Sequence, residues 1–247
     1  MIWLYTGTPG SGKSLHCAAE IYKRICRGKN VVSNFDINMT AIPIKKQKGL
    51  FVYIDNSDMS PQLLIDLAYS CHKRNTNGNI IEGQTMLVFD ECQVIFGNRE
   101  WQASGRGEWN EFFRQHRKYG YNVILITQFD RLIDKQLRAL IEFEVVHRKA
   151  SNYKTLGFLI GLAFGGKLFV AIERYYCIKE KNDSEWFVMR RKYARLYDSY
   201  RTFGAPQVSG SGATAPKALQ SEKTTVKKQM RTNDYIDNPE LIRSKIS

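Results

Sequence analysis

The 247-residue sequence has no Cys-x-x-Cys pair, and its five cysteines, Cys17, Cys26, Cys71, Cys92 and Cys177, are scattered along the chain. Only Cys71 has a histidine beside it, and an adjacent Cys-His cannot chelate as a motif by itself, so a zinc module is excluded. An odd number of dispersed thiols also argues against a disulfide framework and for reduced cysteines in a cytoplasm. The first residues lack a basic region followed by an apolar stretch, because glycines crowd in from residue 7 onward, so no secretory signal is expected. Acidic residues are outnumbered: 24 Asp and Glu stand against 37 Lys and Arg, a net charge of +13. That surplus favours anionic partners, nucleic acid or a lipid surface, without choosing between them, and a lysine-rich soluble surface would carry the same charge.

Long apolar runs are scarce too. The one stretch of spanning length, LGFLIGLAFGGKLFVAI at 156–172, is interrupted by glycines and by Lys167. A β-hairpin turning at Gly165-Gly166, with strand-sized halves on either side, is preferred there to a membrane helix. Beyond Phe203 large apolar side chains nearly vanish, so residues 204–247 cannot build a core and read as a basic, disordered tail with a short helix near its end. The expected organisation is one domain over residues 1–203, followed by that tail.

Against these absences stands a dense signal at the start. Four residues of apolar strand, Ile2 to Tyr5, lead into Gly7-Thr8-Pro9-Gly10-Ser11-Gly12-Lys13-Ser14, which fits G-x-x-x-x-G-K-[ST] at every fixed position. Three glycines in six residues suit neither strand nor helix, but they let backbone N–H groups wrap a phosphate. Lys13 is then placed to reach the β- and γ-phosphates of ATP, and Ser14 to offer its hydroxyl to Mg²⁺. Leu15, Ala18, Ile21, Tyr22 and Ile25 recur at helical spacing behind the loop, so strand, loop and helix follow in the order a nucleotide site requires.

A second apolar run, Met86 to Phe89, ends in Asp90-Glu91. An unbroken run of this kind suits a central parallel strand, and the acids after it read as a Walker B pair. Asp90 is the expected Mg²⁺ ligand and Glu91 the group that orients or deprotonates the attacking water. A helix is expected over 110–120, with Phe112, Phe113 and Tyr119 on its apolar side and Arg114, His116, Arg117 and Lys118 making the rest basic. The strand after it, 122–128, closes in Thr127-Gln128, where Gln128 could sense the γ-phosphate or simply cap the next turn. Runs at 30–39, 50–55 and 142–148 supply further strands, and 61–74 and 131–141 further helices. Strand and helix alternation predicts an α/β P-loop NTPase fold: a mostly parallel central sheet flanked by helices, with a C-terminal β-hairpin region and the tail.

In this order the motifs resemble the zonular occludens toxin (Zot) domain, the cytoplasmic ATPase of filamentous-phage assembly, itself similar to the HerA/FtsK superfamily. The resemblance rests on GTPGSGKS, SNFDI at 33–37, VFDE at 88–91, FFRQHRKYGYNVILITQ at 112–128 and LYDSY at 196–200, and it covers residues 1–203. It implies a Mg²⁺-dependent ATPase motor in the host cytoplasm, at the inner membrane. The motor would form a homo-oligomeric ring, most often of six subunits, with an arginine reaching into the neighbour's site. Arg117 is the first choice for that arginine, and a basic patch facing solvent or DNA is the other reading of the same cluster. The implied partners are phage single-stranded DNA and coat or assembly proteins. Two other functions fit a phosphate loop. In a small-molecule or nucleoside kinase Asp36 would hold the acceptor, and a nucleotide-dependent nucleic-acid scaffold would barely hydrolyse.

Overall fold

A computed structural model of the chain describes residues 1–97, 105–150 and 167–197. Eight strands form one sheet in the order β3-β2-β4-β5-β1-β6-β7-β8. They are β1 Ile2–Thr6, β2 Asn30–Ser33, β3 Phe51–Tyr53, β4 Thr85–Phe89, β5 Tyr121–Ile126, β6 Phe143–Lys149, β7 Leu168–Tyr175 and β8 Lys181–Val188. From β3 to β6 every neighbouring pair is parallel, whereas β7 and β8 are antiparallel additions. This is the α/β P-loop NTPase architecture the sequence predicts.

The central strands are apolar on both faces because both are covered. In β4, Met86 and Val88 face one way and Leu87 and Phe89 the other. Helix α1, Lys13–Cys26, covers the first face with Cys17, Ala18, Ile21 and Ile25. The opposite face is covered by α2, Pro61–Cys71, the one-turn α3, Gln93–Phe96, and α4, Arg106–Gln115, together with Leu137 of α5, Lys135–Arg138. Ser60 starts α2 by accepting a hydrogen bond from the Leu63 N–H, and Pro61 stands in its first turn, where no N–H is needed. A nest of rings, Phe89, Phe96, Trp109, Phe112 and Phe113, fixes α3 and α4 under the strand that bears the acids.

Several boundaries differ from the sequence reading. The helix expected over 110–120 runs from Arg106 to Gln115, and residues 116–120 are successive turns, with Gly120 N–H donating to Arg117 O and Tyr121 N–H to His116 O. Of the apolar run 30–39 only Asn30–Ser33 is strand, and the helix expected over 131–141 shrinks to the single turn of α5. Leu168–Ile172, the second half of the expected hairpin, is strand, but within the described residues β7 pairs with β6 and β8. The first half, at 156–166, lies outside the described residues, as do the tail and the last three residues of LYDSY. No helix among the described residues is long and apolar enough to cross a membrane. No disulfide links the cysteines.

Candidate functional site

In a parallel sheet all strands end at one edge, and the residues that follow β1, β4 and β5 meet there. The phosphate loop follows β1. Gly7 has φ 143° and Gly12 φ 96°, values that side-chain-bearing residues rarely adopt. Space forbids a side chain as well, since a Cβ at Gly7 would lie 2.6 Å from His147 O and one at Gly12 2.8 Å from the Phe169 ring. Gly7 N–H donates to Gln128 O at 3.3 Å, which ties the loop to the end of β5. The Lys13 ammonium folds back over the loop, donating to Gly7 O at 2.6 Å and Thr8 O at 3.3 Å. Burial lowers its pKa, while the carboxylates of Glu91 and Asp90 act in the opposite direction. Ser11 Oγ is buried with no hydrogen-bond partner among the described residues, a polar atom left over inside the phosphate loop.

Asp90 follows β4 and is almost wholly buried. Its backbone is gripped by Asn34 in both directions: Asp90 N–H donates to Asn34 Oδ1 at 2.7 Å, and Asn34 Nδ2 donates to Asp90 O at 2.9 Å. Its carboxylate accepts from Glu91 N–H at 2.9 Å and from the Tyr197 hydroxyl at 2.8 Å. Burial raises the Asp90 pKa, and these two hydrogen bonds hold it down. Glu91 is held with φ 45°, a left-handed backbone conformation unusual for a residue with a side chain. Its carboxylate accepts from Gln93 Nε2, and Gln93 Oε1 in turn accepts from Thr127 Oγ1 at 2.9 Å. The predicted base is therefore held through a chain that starts on the neighbouring strand.

Ser14, Asp90, Glu91, Lys13 and Gln128 thus lie along one edge of the sheet. Strand β5 lies between β1 and β4, so Thr127 and Gln128 stand between the phosphate loop and the acids. Beside the loop, Gly7, Thr8, Gln128, Phe129 and Arg148 line an open cavity of about 420 Å³. The donor set suits Mg²⁺, which takes few protein oxygens and completes its shell with phosphate and water. Ser14 and Asp90 supply hard oxygens, and the Tyr197 hydroxyl donates to Asp90 Oδ2 at 2.8 Å.

Arg117 is not part of this convergence. It precedes β5, so it sits at the amino edge, about 20 Å away along a six-residue strand. There it faces Glu82 at 3.6 Å, with both side chains about half exposed or more. Arg114 pairs with Glu111 at 3.9 Å on the surface of α4. His116 is no surface cation. It is buried, its Nδ1–H donates to Phe113 O at 2.6 Å, and its Nε2 lies 2.9 Å from the Met1 ammonium; burial lowers its pKa to about 4. Asp36 lies in the loop after β2, where its carboxylate accepts from Ile37 N–H at 2.9 Å.

The family model described as Zonular occludens toxin (Zot) matches residues 1–159. The chain belongs to the Zot family. Among curated relatives, the Gene 1 protein of Enterobacteria phage fd is 27% identical over 222 residues, covering 85% of this chain and 62% of the relative. The chain thus spans less than two thirds of the length of that relative. Among solved structures, the N-terminal domain of zonular occludens toxin from Neisseria meningitidis is 21% identical with a TM-score of 0.49, over 80% of this chain and 98% of that one. The genome packaging NTPase B204 of Sulfolobus turreted icosahedral virus 2, in complex with AMP, is 15% identical with a TM-score of 0.43, over 73% and 95%.

Three residues of this Zot site escaped the sequence reading. Asn34 lies in SNFDI and Tyr197 in LYDSY, so both fell within quoted motifs without a role. Gln93 had no signal at all, because its place opposite Thr127 exists only once β4 and β5 are neighbours.

Proposed function

We propose that this Zot-family chain is a Mg²⁺-dependent ATPase of filamentous-phage assembly and extrusion, or of the associated movement of phage DNA. It would work in the host cytoplasm, at the inner membrane. The observation that carries the reading is Glu91: a carboxylate in a strained backbone conformation, oriented through Gln93 and Thr127, beside a complete phosphate loop. Such an acid suits water as the attacking group, which favours hydrolysis over transfer to a bound acceptor.

In this reading the loop N–H groups and the amino end of α1 bind the phosphates, and the Lys13 ammonium leaves its carbonyl partners for the β- and γ-oxygens. Ser14 and Asp90 hold Mg²⁺, which when bound neutralises charge on the phosphate oxygens. Glu91 takes the proton of the attacking water, and Gln128 reads the γ-phosphate from the end of β5. The kinship with the Gene 1 protein of phage fd supports a phage role, and the net charge of +13 supports an anionic partner such as single-stranded DNA.

A ring of identical subunits belongs to the same proposal. Arg117 can complete a neighbour's site only if the amino edge of one subunit faces the carboxyl edge of the next, a head-to-tail contact that closes into a ring when the rotation permits. Steady-state ATP hydrolysis with and without single-stranded DNA tests the reading. Mg²⁺-dependent phosphate release stimulated by DNA is expected. Consumption of ATP only with an added phosphoryl acceptor would establish the kinase instead, and nucleotide-dependent DNA binding with negligible turnover would establish the scaffold.

A further inference from the structure

The last described residues return to the metal site. The one-turn helix Arg191–Ala194 lies against α1, with the Tyr193 ring edge-on to Tyr22 at 5.4 Å and Lys192 over the Tyr22 ring at 5.0 Å. Leu196 is buried, and its carbonyl accepts from Asn38 N–H at 2.9 Å. The Tyr197 ring then stands edge-on to Phe35 at 5.1 Å, in the same loop that supplies Asn34. Packing of this kind would hold any large aromatic. The hydroxyl does something a phenyl ring could not: it donates to Asp90 Oδ2 at 2.8 Å.

We propose that Tyr197 is a positioning residue of the divalent-cation and nucleotide site, turning the oxygens of Asp90 toward the cation. The chemistry follows from donor and acceptor counting. An ionised carboxylate only accepts hydrogen bonds, so donors can fix its oxygens while lone pairs stay free for a cation. The phenol O–H donates to Asp90 Oδ2, while Glu91 N–H occupies Oδ1. Each carboxylate oxygen keeps a further lone pair for the cation, and the carboxylate plane is fixed from two directions. Partners of this kind, which orient the ligands rather than touch the metal, typically control affinity by about 10- to 100-fold.

The inference rests on the nucleotide-binding reading above, and the test separates the two. Mn²⁺ serves as the probe, its free-ion electron paramagnetic resonance signal being titrated against the full chain with a non-hydrolysable ATP analogue. The unaltered chain is expected to bind Mn²⁺ with the analogue, and Tyr197→Phe to bind it about 10- to 100-fold more weakly. Binding of the analogue without metal should be the same for both, as should metal-free thermal unfolding, because the ring stays against Phe35. A second variant, Phe35→Leu, loosens that ring contact and keeps the hydroxyl, so its Mn²⁺ affinity should stay at the parental level. Equal or tighter Mn²⁺ binding by Tyr197→Phe would overturn the inference alone, as would equal weakening in Phe35→Leu. Failure of the unaltered chain to bind Mn²⁺ with the analogue would overturn the nucleotide-site reading and the inference with it.

Discussion

At the carboxyl edge of the sheet Lys13 is drawn out of water into a loop, where the carboxylates of Glu91 and Asp90 act on it. At the amino edge Arg117 and Glu82 face each other 3.6 Å apart, with water around both. Charge at the first edge is desolvated and aimed, so each group changes what its neighbours can do. A pair as exposed as the second contributes little, and salt screens it. The difference comes from chain direction rather than from composition. Loops that leave parallel strands gather at one edge, where helix α1 begins, whereas loops that enter strands gather at the other.

The largest expected effect lies at the first edge. Lys13→Ala removes the ammonium that neutralises the phosphates, so ATP hydrolysis should fall by about a thousandfold or more, with weakened ATP binding and an intact fold. Phosphate release and circular dichroism check this together, and hydrolysis at the parental rate would disprove the loop assignment.

Arg117 tests whether the second edge has any part in the chemistry. If it completes the site of a neighbouring subunit, Arg117→Ala should lose about a thousandfold in rate, yet mixing it with Lys13→Ala should restore activity that neither variant has alone. The recovered activity should rise with protein concentration. No recovery in rings shown to be mixed would leave Arg117 as a surface residue of the amino edge, and Arg148, exposed beside Gly7 and Thr8 at the carboxyl edge, would become the arginine to examine.

A third test sharpens the account of the carboxyl edge. Glu91→Gln keeps the shape and removes the base, so turnover should fall about a hundredfold while Mg·ATP stays bound. Retained binding with lost turnover separates Glu91 from Lys13, whose replacement weakens both. Unimpaired turnover would move the base to another residue.

What could be read from the sequence divides along the same line. The phosphate loop and Asp90-Glu91 are local patterns, in which strand, loop and acid follow each other within a few residues, and the structure brings them together. The rule that would have placed Arg117 was also available: it precedes a buried strand, so in a parallel sheet it must sit at the edge away from its own phosphate loop. The resemblance gave Arg117 a role in a neighbour's site, and its place at the amino edge ties that role to a head-to-tail contact between subunits. Gln93, Asn34 and Tyr197 are different. Asn34 and Tyr197 reach Asp90 from 56 and 107 positions away, and Gln93, though only two residues from Glu91, is set by Thr127 34 positions on. No local period encodes such a contact.

The smallest effect concerns His116, which the sequence suggested as one more surface cation. In the structure it is buried, and its two nitrogens are already committed: Nδ1–H to Phe113 O, and the Nε2 lone pair to the Met1 ammonium. Protonating Nε2 would destroy the second contact and set two cations face to face, with Arg117 adding to the repulsion. Burial is nevertheless the larger cause of its low pKa, about 4 in the folded chain against 6.5 for the free imidazole. Between those values the unfolded chain binds a proton that the folded chain refuses. The contribution of His116 to stability is therefore complete above about pH 6.5 and is lost progressively as pH falls toward about 4. From pH 7.5 to pH 5 the loss from this one group should be at most about 2 kcal/mol. Urea unfolding at the two pH values measures the total, to which the buried histidines His72 and His147 add losses of the same sign. In His116→Asn those two remain, so the difference between pH 7.5 and pH 5 should shrink by about 2 kcal/mol relative to the unaltered chain. An unchanged difference would mean that His116 is protonated in the folded chain, and the amino edge would then carry the cation cluster that the sequence suggested.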